Sequence, residues 1–322
     1  MKSSGMVSVI MTCHNEEGYI AQAVGSVLGQ TAFDRVCEVL IVNDGSMDRS
    51  GDILEKLAAG NGKLRILTAS GIGPSAARNL ALAEATGEFI AILDGDDVWT
   101  PGKLAAQLPV IESDPRIGLV YGDFHDFSKD DMSDRRLMRV RRFDAGMPDL
   151  LETFFVEGGP IIPSTTIIRA KVFETVEPFN TSLRLNEDAE LFLRIAEQWR
   201  FQYVPGVHLF KRVHGRNLTA RIDTQLPAAE FITAQFVQRN PKLKPYAPKR
   251  MARRYGRAGS DCLAKGERVR ALGYLRRAIL LDPFLWHLYA YVLLALFPRR
   301  LGVSLRNVVR DALRFRRPRS SS

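Results

Sequence analysis

The chain has 322 residues, 46% apolar and 25% charged, an ordinary globular composition with enough apolar material for a sizeable core. Its net charge of +9 points to an anionic partner, but eight arginines and a single acid, Asp311, fall between Arg299 and Ser322, so much of the excess belongs to the tail. The three cysteines, Cys13, Cys37 and Cys262, form no CxxC pair, which argues against a disulfide framework or a zinc site and fits a reducing compartment.

Val7–Thr12 (VSVIMT) reads as a buried strand. Val7–Met11 is too short for the apolar region of a signal peptide and runs straight into Thr12-Cys13-His14-Asn15-Glu16-Glu17, so the expected location is cytoplasmic and the sequons at Asn180 and Asn217 carry no weight. Glu16–Leu28 reads as a helix with Ile20, Val24, Val27 and Leu28 on one face, and Glu38–Val42 as a strand ended by Asn43-Asp44-Gly45-Ser46. Asp48–Ala59 is helical, Leu64–Leu67 a short strand and Ser75–Ala85 an alanine-rich helix. Glu88–Leu93 (EFIAIL) is a strand ended by Asp94-Gly95-Asp96-Asp97, Pro101 opens the next helix, and Ile117–Tyr121 is another strand. This alternation predicts parallel β-α-β units, in which ligands bind at the carboxyl ends of the strands, where all three polar clusters fall.

Residues 126–146 read as a surface loop and Gly158–Ser164 as a functional loop near the sheet. Glu187–Gln198 is a helix with Asn186 as its N-cap, and residues 200–225 are mixed, with short extended pieces. From residue 226 the chain is all-helical. Tyr255–Asp282 reads as two helices around Lys265-Gly266-Glu267, like one tetratricopeptide-type hairpin, and one repeat is too few for a solenoid. Phe284–Phe297 is an apolar run of 14 residues, short of the ~20 that a spanning helix needs. Beyond it, Leu301, Leu305, Val308, Ala312 and Phe315 share one helical face and Arg306, Arg310, Arg314 and Arg317 another, the pattern of a helix lying on an anionic membrane.

Five segments carry candidate chemistry. In Asp94-Gly95-Asp96-Asp97, three acids within four residues repel one another unless a cation sits among them, and Mg²⁺ or Mn²⁺ bridging to substrate phosphates is the natural one. Asp44 can accept from a base N–H or a ribose hydroxyl. Gly71–Asn79 (GIGPSAARN) places glycines before a helix N-terminus suited to phosphate, with Arg78 in its first turns; without GxGxxG or a Walker lysine it is neither a dinucleotide site nor a P-loop. Asn186-Glu187-Asp188 offers a general base for an acceptor hydroxyl, and Lys211-Arg212-Val213-His214 a basic stretch able to close over a diphosphate.

Together VSVIMTCHNEE, VNDGSMD, GPSAARNLALAEATGEFIAILDGDD, PSTTIIRAKVF, NEDAELFLRIA and KRVHG resemble, in order, the inverting family 2 of the GT-A glycosyltransferases, over roughly residues 6–220. The resemblance implies an α/β GT-A (Rossmann-like) mixed, mostly parallel sheet flanked by helices in residues 1–225; the all-helical C-terminal extension in 226–322 lies outside the shared core. The resemblance also implies that Thr12, Asn15, Glu16, Asp44, Arg78 and Asp94 bind the nucleotide, that Asp96 of the DXD motif and His214 hold Mn²⁺ or Mg²⁺, and that Asp188 is the catalytic base with Glu187 beside it. The expected reaction is a single displacement on a UDP-sugar, in cell-surface glycan synthesis, with a glycan or lipid-linked acceptor. This chain has His14 where the family often has Tyr, which bears on the identity of the base. The rival readings are a nucleotidyltransferase, disfavoured by the acidic loop after the first strand, and a non-catalytic nucleotide-sugar-binding or interaction protein. Nucleic acid is not an expected partner, since the arginines lack interleaved aromatics.

Overall fold

The computed structural model describes residues 3–158, 161–214 and 225–296. These fall into two compact units, one of residues up to 154 with 158–214, the other of 155–157 with 225–296.

The first unit is a mixed sheet with helices on its faces. In chain order its described elements are β1 (Ser3–Cys13), α1 (Ile20–Leu28), β2 (Val36–Asp44), α2 (Ser50–Ala59), β3 (Leu64–Ala69), α3 (Pro74–Glu84), β4 (Gly87–Asp94), β5 (Val98–Trp99), α4 (Lys103–Glu112), β6 (Ile117–Phe127), β7 (Arg136–Met138), α5 (Leu150–Glu157, whose last turn belongs to the second unit), β8 (Ile167–Arg169), α6 (Glu187–Ala196) and β9 (Arg200–Arg212). The order across the sheet is β3-β2-β1-β4-β8-β6-β9-β5, with β7 paired to β6. β1, β2, β3 and β4 are mutually parallel, as is β6 with β9, whereas β8 runs antiparallel to both β4 and β6. β5 is likewise antiparallel to β9 and β7 to β6, so the sheet is mixed, as expected, and its parallel pairings are the longer ones. Val9, Ile10, Met11, Leu40, Ile41, Val42 and Ile90–Leu93 are fully buried, the unbroken apolar pattern of strands covered on both faces.

Register brings the polar strand ends to one edge. Thr12 lies opposite both Val42 and Asp94, and the Gly95 amide donates to the Thr12 carbonyl at 3.0 Å. A Cβ at Gly95 would stand 2.8 Å from that oxygen, so only glycine lets the acidic turn fold back against β1.

Three elements differ from expectation for local reasons. α1 starts at Ile20, not Glu16, because Asn15 is left-handed (φ 58°) and the next amides are drawn to the β2–α2 loop: Asn15 N–H donates to Ser46 Oγ (3.0 Å), Glu16 N–H to Ser50 Oγ (2.8 Å) and Glu17 N–H to Asp48 Oδ2 (3.1 Å). Residues 200–212 form one 13-residue strand, not short pieces; Gly206, at φ 119°, stands at the register shift opposite Tyr121 and Asp123 of β6, and the strand continues past it. Part of 126–146 is tied down, with β7 on β6 and the buried Tyr121 hydroxyl donating to the Arg141 carbonyl (2.7 Å) and accepting from Phe143 N–H (2.7 Å).

The second unit contains α7 (Leu226–Arg239), α8 (Ala247–Lys265), α9 (Arg268–Leu281) and α10 (His287–Leu296). α8 and α9 form the expected hairpin about Gly266, left-handed at φ 83°. Gly256 and Gly259 bring the helices close, since a Cβ there would stand 2.8 Å from Leu288 and Leu275 respectively. Among the described residues no helix is long and apolar enough to cross a membrane. The basic amphipathic pattern of 301–317 lies outside the described residues.

Candidate active site

The acidic turn after β4 is where the first unit concentrates charge. Asp94, Asp96 and Asp97 point to three different neighbours. Asp94 Oδ1 receives Arg78 Nη2 at 2.7 Å, Asp96 Oδ2 lies 3.0 Å from His214 Nε2, and Asp97 Oδ1 accepts the Arg212 amide at 3.0 Å. Burial raises the Asp97 carboxyl well above its usual range, and neighbouring Asp96 adds to the shift. Burial and Asp94 likewise raise Asp96. Asp94 goes the other way: burial would raise it, but the Arg78 guanidinium, with Lys211 and Ser164, more than offsets burial and holds it low.

The cation among the acids that the sequence calls for is in part supplied by the protein. Burial would lower the Lys211 ammonium, yet Asp97, Asp96 and Asp94 hold it above its ordinary value. Arg212 lies between the rings of Tyr19 (4.4 Å) and Phe127 (4.5 Å) while its Nη2 donates to Gln22 Oε1 at 2.7 Å. Tyr19 in turn stacks on His214, with centroids 5.6 Å apart and planes within 17°. This Arg212–Tyr19–His214 stack orients the imidazole toward Asp96.

Glu16, Asp96 and His214 together offer two carboxylate oxygens and an imidazole nitrogen within 4.8 Å of one another, all half-buried. Two hard oxygens and one nitrogen form a donor set that a divalent cation can take. Glu16, expected beside the nucleotide, thus stands in the group able to hold a metal.

Arg78 joins the acidic turn to the start of α6. Its Nη1 donates to Glu187 Oε1 at 3.0 Å while Nη2 holds Asp94, and the guanidinium rests 5.4 Å from the Phe179 ring centre. Its side chain is 7% exposed, so the two carboxylates share one buried cation. Asn79, one residue on, pairs with the Phe179 backbone through both amide atoms (2.8 and 2.9 Å) and fixes α3 against that segment. Asn186 occupies the expected N-terminal position of α6, but in the left-handed region (φ 61°) and not as an extended capping residue. Next to it, burial first and then Glu187 push the Asp188 carboxyl up to about 7. Asp188 is half-buried, and its Oδ1 accepts from Ala189 N–H at 2.7 Å.

The remaining candidates lie along the same edge. Asp44 accepts Ile72 N–H and Gly73 N–H at 2.7 Å each, so it shapes the glycine loop before α3. Gly45 makes room for that loop: a Cβ there would be 2.9 Å from Gly71 N, at φ 68°. His14 Nδ1 meets the Asp44 carbonyl at 2.6 Å, and its Nε2 lies 3.1 Å from Asn15 Nδ2. Asn15 Oδ1 accepts Met47 N–H at 2.8 Å, so Asn15 fastens two loops together. Thr12 enters the site through its backbone.

Tyr19 is a site residue that the sequence reading does not single out, while Ser164 and Lys211 stand in it only as the end of the 158–164 loop and the start of the basic stretch. Ser164 Oγ accepts the Asp94 amide at 3.2 Å, while its carbonyl takes Trp99 Nε1–H at 2.8 Å. The next two carbonyls, of Thr165 and Thr166, accept from the fully buried Gln107 (2.9 Å) and Lys103 (3.2 Å). PSTT in 163–166 was the available signal for Ser164, and the basic stretch before His214 for Lys211. Nothing local marks Tyr19.

The model of the family described as "Glycosyl transferase family 2" matches residues 8–176, more than half of the chain. Among curated relatives, the chain is 26% identical over 221 residues to the chondroitin synthase of Pasteurella multocida, covering 68% of this chain and 22% of that protein. It is 35% identical over 120 residues to WfgD of Escherichia coli, described as a UDP-Glc:alpha-D-GlcNAc-diphosphoundecaprenol beta-1,3-glucosyltransferase, covering 37% of this chain and 46% of that one. The chain spans well under two thirds of the length of these relatives. Of solved structures, TarS 1-349 of S. aureus in complex with UDP superposes with a TM-score of 0.59 at 18% identity over 96% of this chain and 91% of that one. The mannosyltransferase PcManGT of Pyrobaculum calidifontis, in complex with GDP-Man and Mn²⁺, superposes with a TM-score of 0.60 at 19% identity, over 95% and 85%. At such identities these likenesses establish the GT-A fold. With the family match over residues 8–176, the chain belongs to glycosyl transferase family 2.

Proposed function

We propose that this protein transfers a sugar, with inversion, from a nucleoside-diphosphate sugar to an acceptor hydroxyl. The observation that carries the reading is the chain of contacts Asp96–His214 and Asp94–Arg78–Glu187, which ends beside Asp188, a carboxyl raised to about 7. A base with that proton affinity can take a hydroxyl proton near neutral pH. Arg78, by neutralising Asp94 and Glu187, keeps Asp188 from being raised further.

Glu16, Asp96 and His214 would hold the divalent cation, Mn²⁺ or Mg²⁺, and Asp94, 30% exposed, would meet the ribose. When bound, the cation offsets charge on the departing diphosphate. The edges of the Asp44 carboxylate and the exposed His14 ring, held in its plane by hydrogen bonds at both nitrogens, would receive the base. Uracil is favoured, in keeping with the UDP and UDP-GlcNAc complexes of TarS and the UDP-Glc donor named for WfgD. The named acceptor of WfgD and the chondroitin synthase likeness support a lipid-linked or polysaccharide acceptor in cell-surface glycan synthesis.

Thermal unfolding with UDP, GDP or TDP, each with and without Mn²⁺, tests the donor site. UDP with Mn²⁺ is expected to raise Tm, and Asp96→Ala to abolish the metal-dependent part. A folded protein stabilised by none of these nucleotides contradicts the reading.

A further inference from the structure

Charge is unevenly divided along this chain. Residues 1–224 hold 24 basic and 31 acidic side chains, whereas residues 225–322 hold 21 basic and 5 acidic. The catalytic segment is therefore acidic and the helical one strongly basic. Within the described helical residues, apolar side chains stand exposed beside these cations. Leu280 at the end of α9 is 73% exposed, and Phe284 and Trp286 in the following turn are 76% and 73% exposed.

The helix that follows is one-sided. On α10, Leu288 and Ala295 are buried, packed in the cores that α8 and α9 share with it. Tyr289, Leu293 and Leu296, spaced i, i+4, i+7, face outward. Leu293 and Leu296 remain 59% and 65% exposed. The Trp286 and Tyr289 rings pack together with centroids 5.9 Å apart. On α9, exposed Arg276 and Arg277 each lie one helical turn before Leu280 and Leu281, with the Arg277 guanidinium 5.7 Å from the Tyr255 ring centre.

We propose that this face, from Arg276 to Leu296, seats on an anionic lipid bilayer, with Phe284, Trp286, Leu293 and Leu296 entering the acyl–headgroup boundary and the arginines meeting lipid phosphates. Aromatic residues with a polar edge, paired with aliphatic ones and flanked by cations, match that boundary. A nucleic acid would use the arginines and the two rings but has no use for exposed leucines. The described part of α10, His287–Leu296, has 10 residues against the ~20 of a spanning helix, and the attachment proposed is a peripheral one. The proposal is independent of the catalytic reading, because none of these residues belongs to the site.

The test uses the full chain and vesicles of phosphatidylcholine, with or without phosphatidylglycerol, carrying bromine on the acyl chains. Trp99 is buried and Trp199 partly so, which leaves Trp286 as the tryptophan able to meet bromine. Co-sedimentation with the anionic vesicles is expected, together with quenching that disappears in Trp286→Phe while binding persists. A Phe284→Ser, Leu293→Ser double variant is expected to lower partitioning by about tenfold or more, as loss of two large apolar groups from the boundary requires. Binding without quenching of Trp286 would mean adsorption by arginines alone and would overturn the docking face. No binding, with self-association in sedimentation equilibrium or with binding restored on removal of residues 299–322, would overturn it too, assigning the face to a second copy or to the chain's own tail.

Discussion

Replacing Asp188 by asparagine is expected to lower kcat by roughly 10²–10⁴-fold, the usual loss on removing a general base, with the fold intact. Asparagine has the same shape and keeps an oxygen for the Ala189 amide. It cannot take a proton from an acceptor hydroxyl. The same substitution tests the perturbed carboxyl through stability. Folding raises this carboxyl from 3.8 to about 7, so between those values the folded chain holds a proton that the unfolded chain has lost. Stability contributed by the protonated group is therefore full below about pH 4 and is lost as pH rises through 7. The variant has no such loss, so its Tm advantage over wild type widens from pH 5 to pH 8. In wild type, kcat/KM should fall on the acid side with an apparent pKa near 7. A variant that retains wild-type kcat would show that Asp188 is not the base, and a Tm difference that is flat with pH would show that its carboxyl is not perturbed.

The second large effect is at Arg78. Arg78→Met removes the one cation that Asp94 and Glu187 share, in a place where the guanidinium is 7% exposed. Burial would lower the Arg78 pKa, and the two carboxylates more than reverse that, raising it above its ordinary value. Breaking a buried ion pair from one side costs about 3–5 kcal/mol, far more than an exposed pair. Urea unfolding should show a loss of this size with an unchanged m-value. In whatever activity remains, the acid limb should move to higher pH, because Asp188 loses a cation that stabilises its charged form. An unchanged urea midpoint would contradict the shared-cation account.

How much of this was legible in the sequence depended on whether the signal was local. β2 and β4 are apolar runs closed by Asn, Asp and Gly, and β1 carries one that ends in polar residues, so these strands, their parallel sense and the acidic edge could be read. β9 could not, because Pro205-Gly206 looks like a break, and only pairing with β6 carries the strand across it. The start of α1 was misplaced because the helix competes with hydroxyl and carboxylate acceptors about 30 residues away. At the site, Asp94, Asp96 and Asp188 were visible as acids at element ends. The sharing of Arg78 was not, since Glu187 lies 109 residues further along the chain. Tyr19 and Lys211 gain their place only when β9 returns beside β6, bringing Arg212 and His214 over α1.

The most direct measurement is the anomeric configuration of the first sugar product. Wild-type protein with Mn²⁺ and the α-linked UDP-sugar that it turns over, followed by proton NMR, should release UDP together with a β-configured product, and Asp188→Asn should release neither at a comparable rate. An α-configured first product would contradict a single displacement with Asp188 as base.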